Sequence, residues 1–126
     1  MGLDTSHNAW HGAYSSFNRF RYWLADKAGI NLDEYYGYGS SDANKELSSI
    51  EHKIMPLLNH SDCDGELTPA ECKQIAEGID EILNGLSKEE IEHPENTYPF
   101  SIINKAKQFR DGCILAHSLN ESIDFH

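Results

Sequence analysis

The sequence lacks any long apolar run, and its first ten residues carry neither the basic nor the apolar stretch of a secretory leader. The longest apolar segments are a few residues, whereas a membrane-spanning helix needs about 20. Cysteine is scarce too, because Cys63, Cys72 and Cys113 are the only ones and cannot all pair with one another. We therefore expect free thiols, no membrane contact and a cytoplasmic location.

The motifs of nucleotide-binding and hydrolytic enzymes are also absent. There is no G-x-x-x-x-G-K-[ST], no G-x-G-x-x-G, no H-E-x-x-H and no C-x-x-C. Positive charge is sparse, since 10 Lys and Arg stand against 21 Asp and Glu, for a net charge of −11. Such a surface repels nucleic acid phosphates and favours cations or a basic protein partner. We expect no direct nucleic acid contact and, on balance, no enzymatic activity.

Apolar residues recur at the three- and four-residue spacing of amphipathic helices. This spacing predicts four main helices, over about 13–28, 41–59, 69–86 and 98–119. Residues 33–42, which read DEYYGYGSSD, have the composition of a loop. The tail 120–126 suits a short strand or an extended end. The chain length fits one domain over 1–126, and we predict a small, mainly α fold.

The most specific motif is an EF-hand-like loop, His60 to Glu71, between the second and third predicted helices. The EF-hand template is D-x-[DN]-x-[DN]-G-x₅-E. Its positions 3, 5, 6, 7, 9 and 12 are occupied by Asp62, Asp64, Gly65, Glu66, Thr68 and Glu71. A hard cation needs six to eight oxygens at about 2.3–2.6 Å, and alternate residues of such a loop supply them. The loop therefore predicts a divalent-metal site of His60, Asp62, Asp64, Glu66 and Glu71.

The first position departs from the template, because His60 replaces the expected Asp. Imidazole suits Zn and other transition metals better than calcium. The metal could therefore be calcium, bound weakly, or a transition metal such as zinc, with Cys63 as a further possible ligand. A metal-free alternative is open as well, in which Asp62 and Asp64 form a tight turn while Thr68 and Glu71 cap the next helix.

Three segments, MGLDTSHNAWHGAYSSF, HSDCDGE and SIDFH, resemble an uncharacterised family of small bacterial and phage proteins. The resemblance spans most of the chain and implies no activity, because that family has no assigned function. It does imply that the N-terminal segment and HSDCDGE belong to one site.

Three functions are compatible with these residues. The first is a cytoplasmic, EF-hand-like metal-binding interaction module. The second is a metal-dependent hydrolase, which would unite the loop with the N-terminal polar residues Asp4, His7 and His11. The third is an acidic inhibitor or immunity-type protein that binds a basic partner by charge complementarity.

Overall fold

A computed structural model describes residues 2–92 and 101–126 of the chain. The described residues form a small, mainly α domain with two short antiparallel strand pairs. The helices are α1 (Tyr14–Lys27), α2 (Met55–Leu58), α3 (Pro69–Asn84), α4 (Lys88–Ile91) and α5 (Ile102–Ser118). The strands are β1 (Gly2–Asp4), β2 (His11–Ala13), β3 (Glu66–Leu67) and β4 (Ile123–Asp124). The mainly α prediction is therefore confirmed.

The core lies where α1, α3 and α5 meet. Their apolar faces bury Phe17, Phe20 and Leu24 of α1, Ile75 and Ile79 of α3, and Ala106, Phe109, Cys113 and Ala116 of α5. Trp10, from the N-terminal segment, stacks on Phe20 at a ring-centroid distance of 5.3 Å. Full burial of side chains of this size stabilises the fold by roughly 1.5–3 kcal/mol each.

The helix predicted over 41–59 is wrong for most of its length. Residues 41–54 are largely non-helical, with one 3-10 turn at Leu47–Ser49, and only α2 is helical beyond them. Pro56 accounts for part of this, because its ring clashes with the carbonyl four residues earlier in a continuous helix. A parallel bridge from Tyr35 to Lys45 also takes up backbone groups that a helix would need.

The remaining helices follow the predictions closely. Thr68 and Glu71 form a complete capping box at the start of α3, and Ser87 and Glu90 form another at α4. Each box satisfies two of the backbone groups that a helix end leaves unpaired. The predicted start of the last helix, at residue 98 or 99, lies outside the described residues, and its end at Ser118 agrees to within one residue.

The C-terminal tail lies between the two other parts of the chain that carry polar motifs. On one side β4 pairs with β3, and the Phe125 amide donates to the carbonyl of Gly65 at 2.9 Å. On the other side Phe125 pairs with Thr5 in an antiparallel bridge. The predicted C-terminal strand is confirmed. None of the helices in the described ranges combines the length and the hydropathy needed to cross a bilayer.

Candidate functional site

The backbone of the predicted metal loop turns at Gly65. Gly65, at template position 6, has φ +89°, a conformation in which glycine avoids the steric cost of a Cβ. The chain then enters β3, where Leu67 is fully buried opposite Ile123. It continues into α3, which places Glu71 in the first helical turn.

The His60 side chain folds back into this loop. Its Nδ1 lies 2.8 Å from the Ser61 carbonyl oxygen, and its Nε2 lies 3.1 Å from the Glu66 carbonyl oxygen. The ring also packs on Phe125, with centroids 4.1 Å apart. Carbonyl oxygens only accept, so a ring nitrogen that bonds to either oxygen must carry a hydrogen. In the tautomer with hydrogen on Nε2, the ring donates to the Glu66 carbonyl, which at template position 7 would bind a metal in an EF-hand.

The loop carboxylates do not converge on one point. Glu71 accepts a hydrogen bond from the Thr68 amide at 2.9 Å, and Asp64 and Glu66 are exposed. In residues 2–92 and 101–126, no group of three or more His, Cys, Asp or Glu side chains is arranged to hold a metal ion. The predicted ligands in this conformation therefore do not fit a ready-made metal site, and metal binding remains a prediction.

Instead, Asp62, Asp64, Glu66 and Glu71 form an acidic patch. No Lys or Arg of the described residues makes an ion pair with any of the four, and Asp62 interacts with Arg21 only beyond ion-pair distance. Some other acidic side chains do make ion pairs, as in Lys53–Glu81 at 2.7 Å and Arg110–Asp80 at 2.9 Å. These four carboxylates are consequently able to interact with positively charged groups outside the described residues.

The N-terminal polar residues form separate hydrogen-bonded groups. His7 bonds to Ser6 through Nδ1 and to Glu121 through Nε2, at 2.8 and 2.9 Å. His11 likewise lies 2.8 Å from Asp4 and 2.7 Å from Asn8. The tail strand separates these groups from the loop, so the structure does not bring Asp4, His7 and His11 together with His60, Asp62 and Asp64. The joint hydrolytic centre gains no support from the geometry.

Arg21 is a residue whose importance the sequence analysis missed. Its side chain is only 5% exposed. It donates from Nη1 to the His60 carbonyl at 2.7 Å and from Nη2 to the Asn18 side chain at 3.1 Å. The guanidinium also lies over the rings of Phe17 and Tyr38. Burial lowers the pKa of Arg21 below its ordinary value.

A sequence signal for this position exists. Arg21 follows Phe17 by four residues and precedes Leu24 by three, so it lies within the apolar stripe of α1. Its place in the later turns of the helix suggested only a favourable interaction with the helix dipole. The structure shows instead a buried cation that joins α1 to His60, the first residue of the predicted metal loop.

The comparisons with known proteins give no match. The chain matches no family model, no curated protein and no solved structure. The resemblance to an uncharacterised bacterial and phage family accordingly stays an expectation.

Proposed function

We propose that the protein is a non-enzymatic interaction module whose acidic loop binds the basic surface of a protein partner. The acidic loop is defined by Asp62, Asp64, Glu66 and Glu71. The observation that supports the proposal is that all four carboxylates lack an ion pair among the described residues while they share one short, structured segment. Carboxylates spread over a surface suit several Lys or Arg side chains better than one ion.

The loop is held in place before any partner arrives. The β3–β4 pairing, the capping box at Thr68 and the Arg21 bond to the His60 carbonyl each restrain its backbone. A preorganised surface loses less conformational freedom on association than a disordered one. The net charge of −11 also accelerates encounter with a cationic partner at low ionic strength.

The test compares two variants of identical net charge. The loop variant carries Asp62→Asn, Asp64→Asn, Glu66→Gln and Glu71→Gln, and the control carries Asp26→Asn, Asp42→Asn, Glu46→Gln and Glu51→Gln. Gln at position 71 preserves the capping box. The probe is a fluorescently labelled, Arg/Lys-rich peptide, whose anisotropy is read at low salt and at about 0.15 M salt, where screening acts over about 8 Å.

We expect the loop variant to bind the peptide at least fivefold more weakly than the control variant. Equal weakening in both variants would reduce the effect to overall charge and contradict the proposal. Partner capture from cells with the wild type, the loop variant and the control variant extends the test. A genuine partner should bind to the wild type and the control variant and not to the loop variant.

Divalent-metal binding by the same loop is the second candidate function. It is favoured by the Gly65 turn and by the position of Glu71 in the first turn of α3. A metal would have to displace the His60 ring from the Glu66 carbonyl and draw Glu71 away from Thr68. We therefore propose that this site binds a divalent metal more weakly than an ordinary EF-hand, in which the first position is Asp. We also propose that the protein works in the cytoplasm.

Thermal unfolding of chelator-treated protein tests this candidate, with Ca²⁺, Mg²⁺, Zn²⁺ or Mn²⁺ added back. A metal at 100 times its Kd stabilises the native state by about 2.7 kcal/mol. The same titration of an Asp62→Ala/Asp64→Ala variant should show no such shift. If a metal stabilises both the wild type and the Asp62→Ala/Asp64→Ala variant, it binds outside the loop. If no metal stabilises either protein, metal binding by the loop is contradicted and only the partner-binding proposal is left.

A further inference from the structure

A cleft of about 370 Å³ opens beside Arg21, between α1, the Tyr38 region and the start of the acidic loop. Its polar lining consists of Asn18, Arg21, Tyr38, Asn59, His60, Ser61 and Asp62. Small-molecule sites in proteins commonly occupy about 300–1,000 Å³ and combine an apolar body with a few placed polar groups. Leu47 and Leu58 supply apolar wall to this cleft.

The cation in the cleft wall has no carboxylate of the described residues within ion-pair distance, although Asp62 interacts with it from further away. Arg21 makes no ion pair with any described carboxylate, and its Nε hydrogen has no acceptor within the described part of the chain. The two hydrogen bonds from Nη1 and Nη2 go to a neutral carbonyl and a neutral amide. A buried charge is normally paired, because desolvation without compensation costs several kcal/mol.

The second charged group in the cleft is Asp62. It is half-buried and close enough to interact electrostatically with Arg21, yet it does not form an ion pair with it. A simple anion that entered the cleft would meet both this carboxylate and the net charge of −11. A ligand that carries an amine beside its carboxylate has no net charge and can satisfy both groups.

We propose that this cleft binds a small zwitterion of the α-amino-acid class, with its carboxylate on Arg21 and its ammonium on Asp62. Nη1 and Nη2 each donate one hydrogen within the protein, which leaves one hydrogen on each of them and the hydrogen on Nε for the two oxygens of a carboxylate. Asp62 then acts as the selecting group, because it favours ligands with a positive nitrogen and disfavours plain carboxylates and phosphate. The site shares Asp62 with the acidic loop, but Arg21 and the rest of the cleft lining lie outside the four carboxylates of the partner-binding proposal.

The competing explanation is that Arg21 only clamps the loop to α1. A clamp and a binding site differ in what they do when a ligand is added. A clamp leaves the Arg21 side-chain environment unchanged by small molecules, whereas a site responds to the right ones. The difference can be measured without removing Arg21, whose loss would also weaken the fold.

The experiment follows the ¹⁵Nε resonances of arginine side chains by NMR, with that of Arg21 assigned from an Arg21→Lys sample. The probes are the common α-amino acids one by one, with acetate, succinate, inorganic phosphate and ethylamine as separate arms. We expect the chemical shift of the Arg21 resonance to change and reach saturation as at least one amino acid is added. Acetate and phosphate should bind at least tenfold more weakly than that amino acid. If no probe changes the chemical shift of the Arg21 resonance, the proposal that the cleft binds a small zwitterion is contradicted.

Two neighbouring substitutions provide the matched control. Asp62→Asn removes the carboxylate inside the cleft, and Asp64→Asn removes one outside its lining. We expect Asp62→Asn to weaken binding of the amino acid at least fivefold and to leave acetate binding unchanged or stronger. Asp64→Asn should change the binding of neither ligand. Equal effects of the two variants, or acetate binding as tight as the amino acid, would overturn the assigned role of Asp62.

Discussion

The Nε2 atom of His60 lies 3.1 Å from the carbonyl oxygen of Glu66, across the turn that Gly65 makes. In an EF-hand this carbonyl is a metal ligand. The imidazole thus closes the loop from within, and the same backbone can be tested for metal binding by changing one side chain.

Replacement of His60 by Asp should create or strengthen a calcium site. The substitution restores the carboxylate at position 1 and frees the Glu66 carbonyl. Without calcium we expect the variant to be less stable by about 1–2 kcal/mol, because it loses the hydrogen bonding of the imidazole to the loop carbonyls and the packing on Phe125. Thermal unfolding with calcium and with a chelator measures both effects.

The matched control for this variant is His52→Asp, which adds a carboxylate just before α2, outside the loop, and keeps an acceptor for the Ile54 amide. Calcium should stabilise His60→Asp well beyond this control. An equal response of the two proteins would mean that the loop backbone, despite the Gly65 turn, does not present its oxygens to a cation.

Arg21→Met should destabilise the protein by about 1–3 kcal/mol. Methionine fills part of the space, but it leaves the His60 carbonyl without its donor and removes the contacts with the Phe17 and Tyr38 rings. Denaturant unfolding measures the change, and Lys107→Met on the exposed face of α5 should lie within about 0.5 kcal/mol of the wild type. A variant as stable as the wild type would show that burial of the guanidinium costs as much as its bonds contribute.

Tyr38 should ionise far above the ordinary pH of a phenol. Burial raises its pKa to about 12, while the nearby Arg21 acts in the opposite direction. Because the folded state holds this proton more tightly than the unfolded state, stability falls as the pH rises from about 10 towards 12. An ultraviolet titration should contain one tyrosine step near 12 that Tyr38→Phe removes. In denaturant that step should move to about 10, and its persistence at 12 there would contradict the assignment.

Gly112→Ala should disrupt the contact between α5 and the N-terminal segment. An added Cβ would lie 2.6 Å from the Cβ of Ala9 and 2.8 Å from its Cα, so backbone must move to admit it. We expect a loss of about 2–3 kcal/mol, typical of overpacking, despite the better helix propensity of alanine. Gly85→Ala, where the nearest atom lies at 3.5 Å, is the control for a tolerated methyl group. Similar unfolding midpoints for the two variants would contradict the prediction.

Helix positions in this chain could be predicted where the signals are local. Thr68 and Glu71 lie three residues apart and fix the start of α3 by themselves, and the apolar spacing of α1 and α5 is equally self-contained. The helix over 41–59 failed because its apolar residues are buried without being helical, as Ile50 and Ile54 show. Burial and helical periodicity are separate properties, and the sequence alone could not separate them here.

The candidate site was predictable in its backbone but not in its side chains. The template located the Gly65 turn, whereas the orientation of His60 depends on Phe125, which is 65 positions away in the chain. Arg21 was overlooked for a similar reason. Its burial depends on the His60 carbonyl and on Tyr38, both of which reach it only through tertiary packing.

The position of the tail between Thr5 and Gly65 has a consequence for how the chain acquires its structure. The aromatic ring of Phe125 completes packing that Thr5 and Phe17 begin, so these residues lack a neighbour until residues 123–125 have been synthesised. Nascent chains stalled before residue 123 should therefore remain protease-sensitive around Thr5.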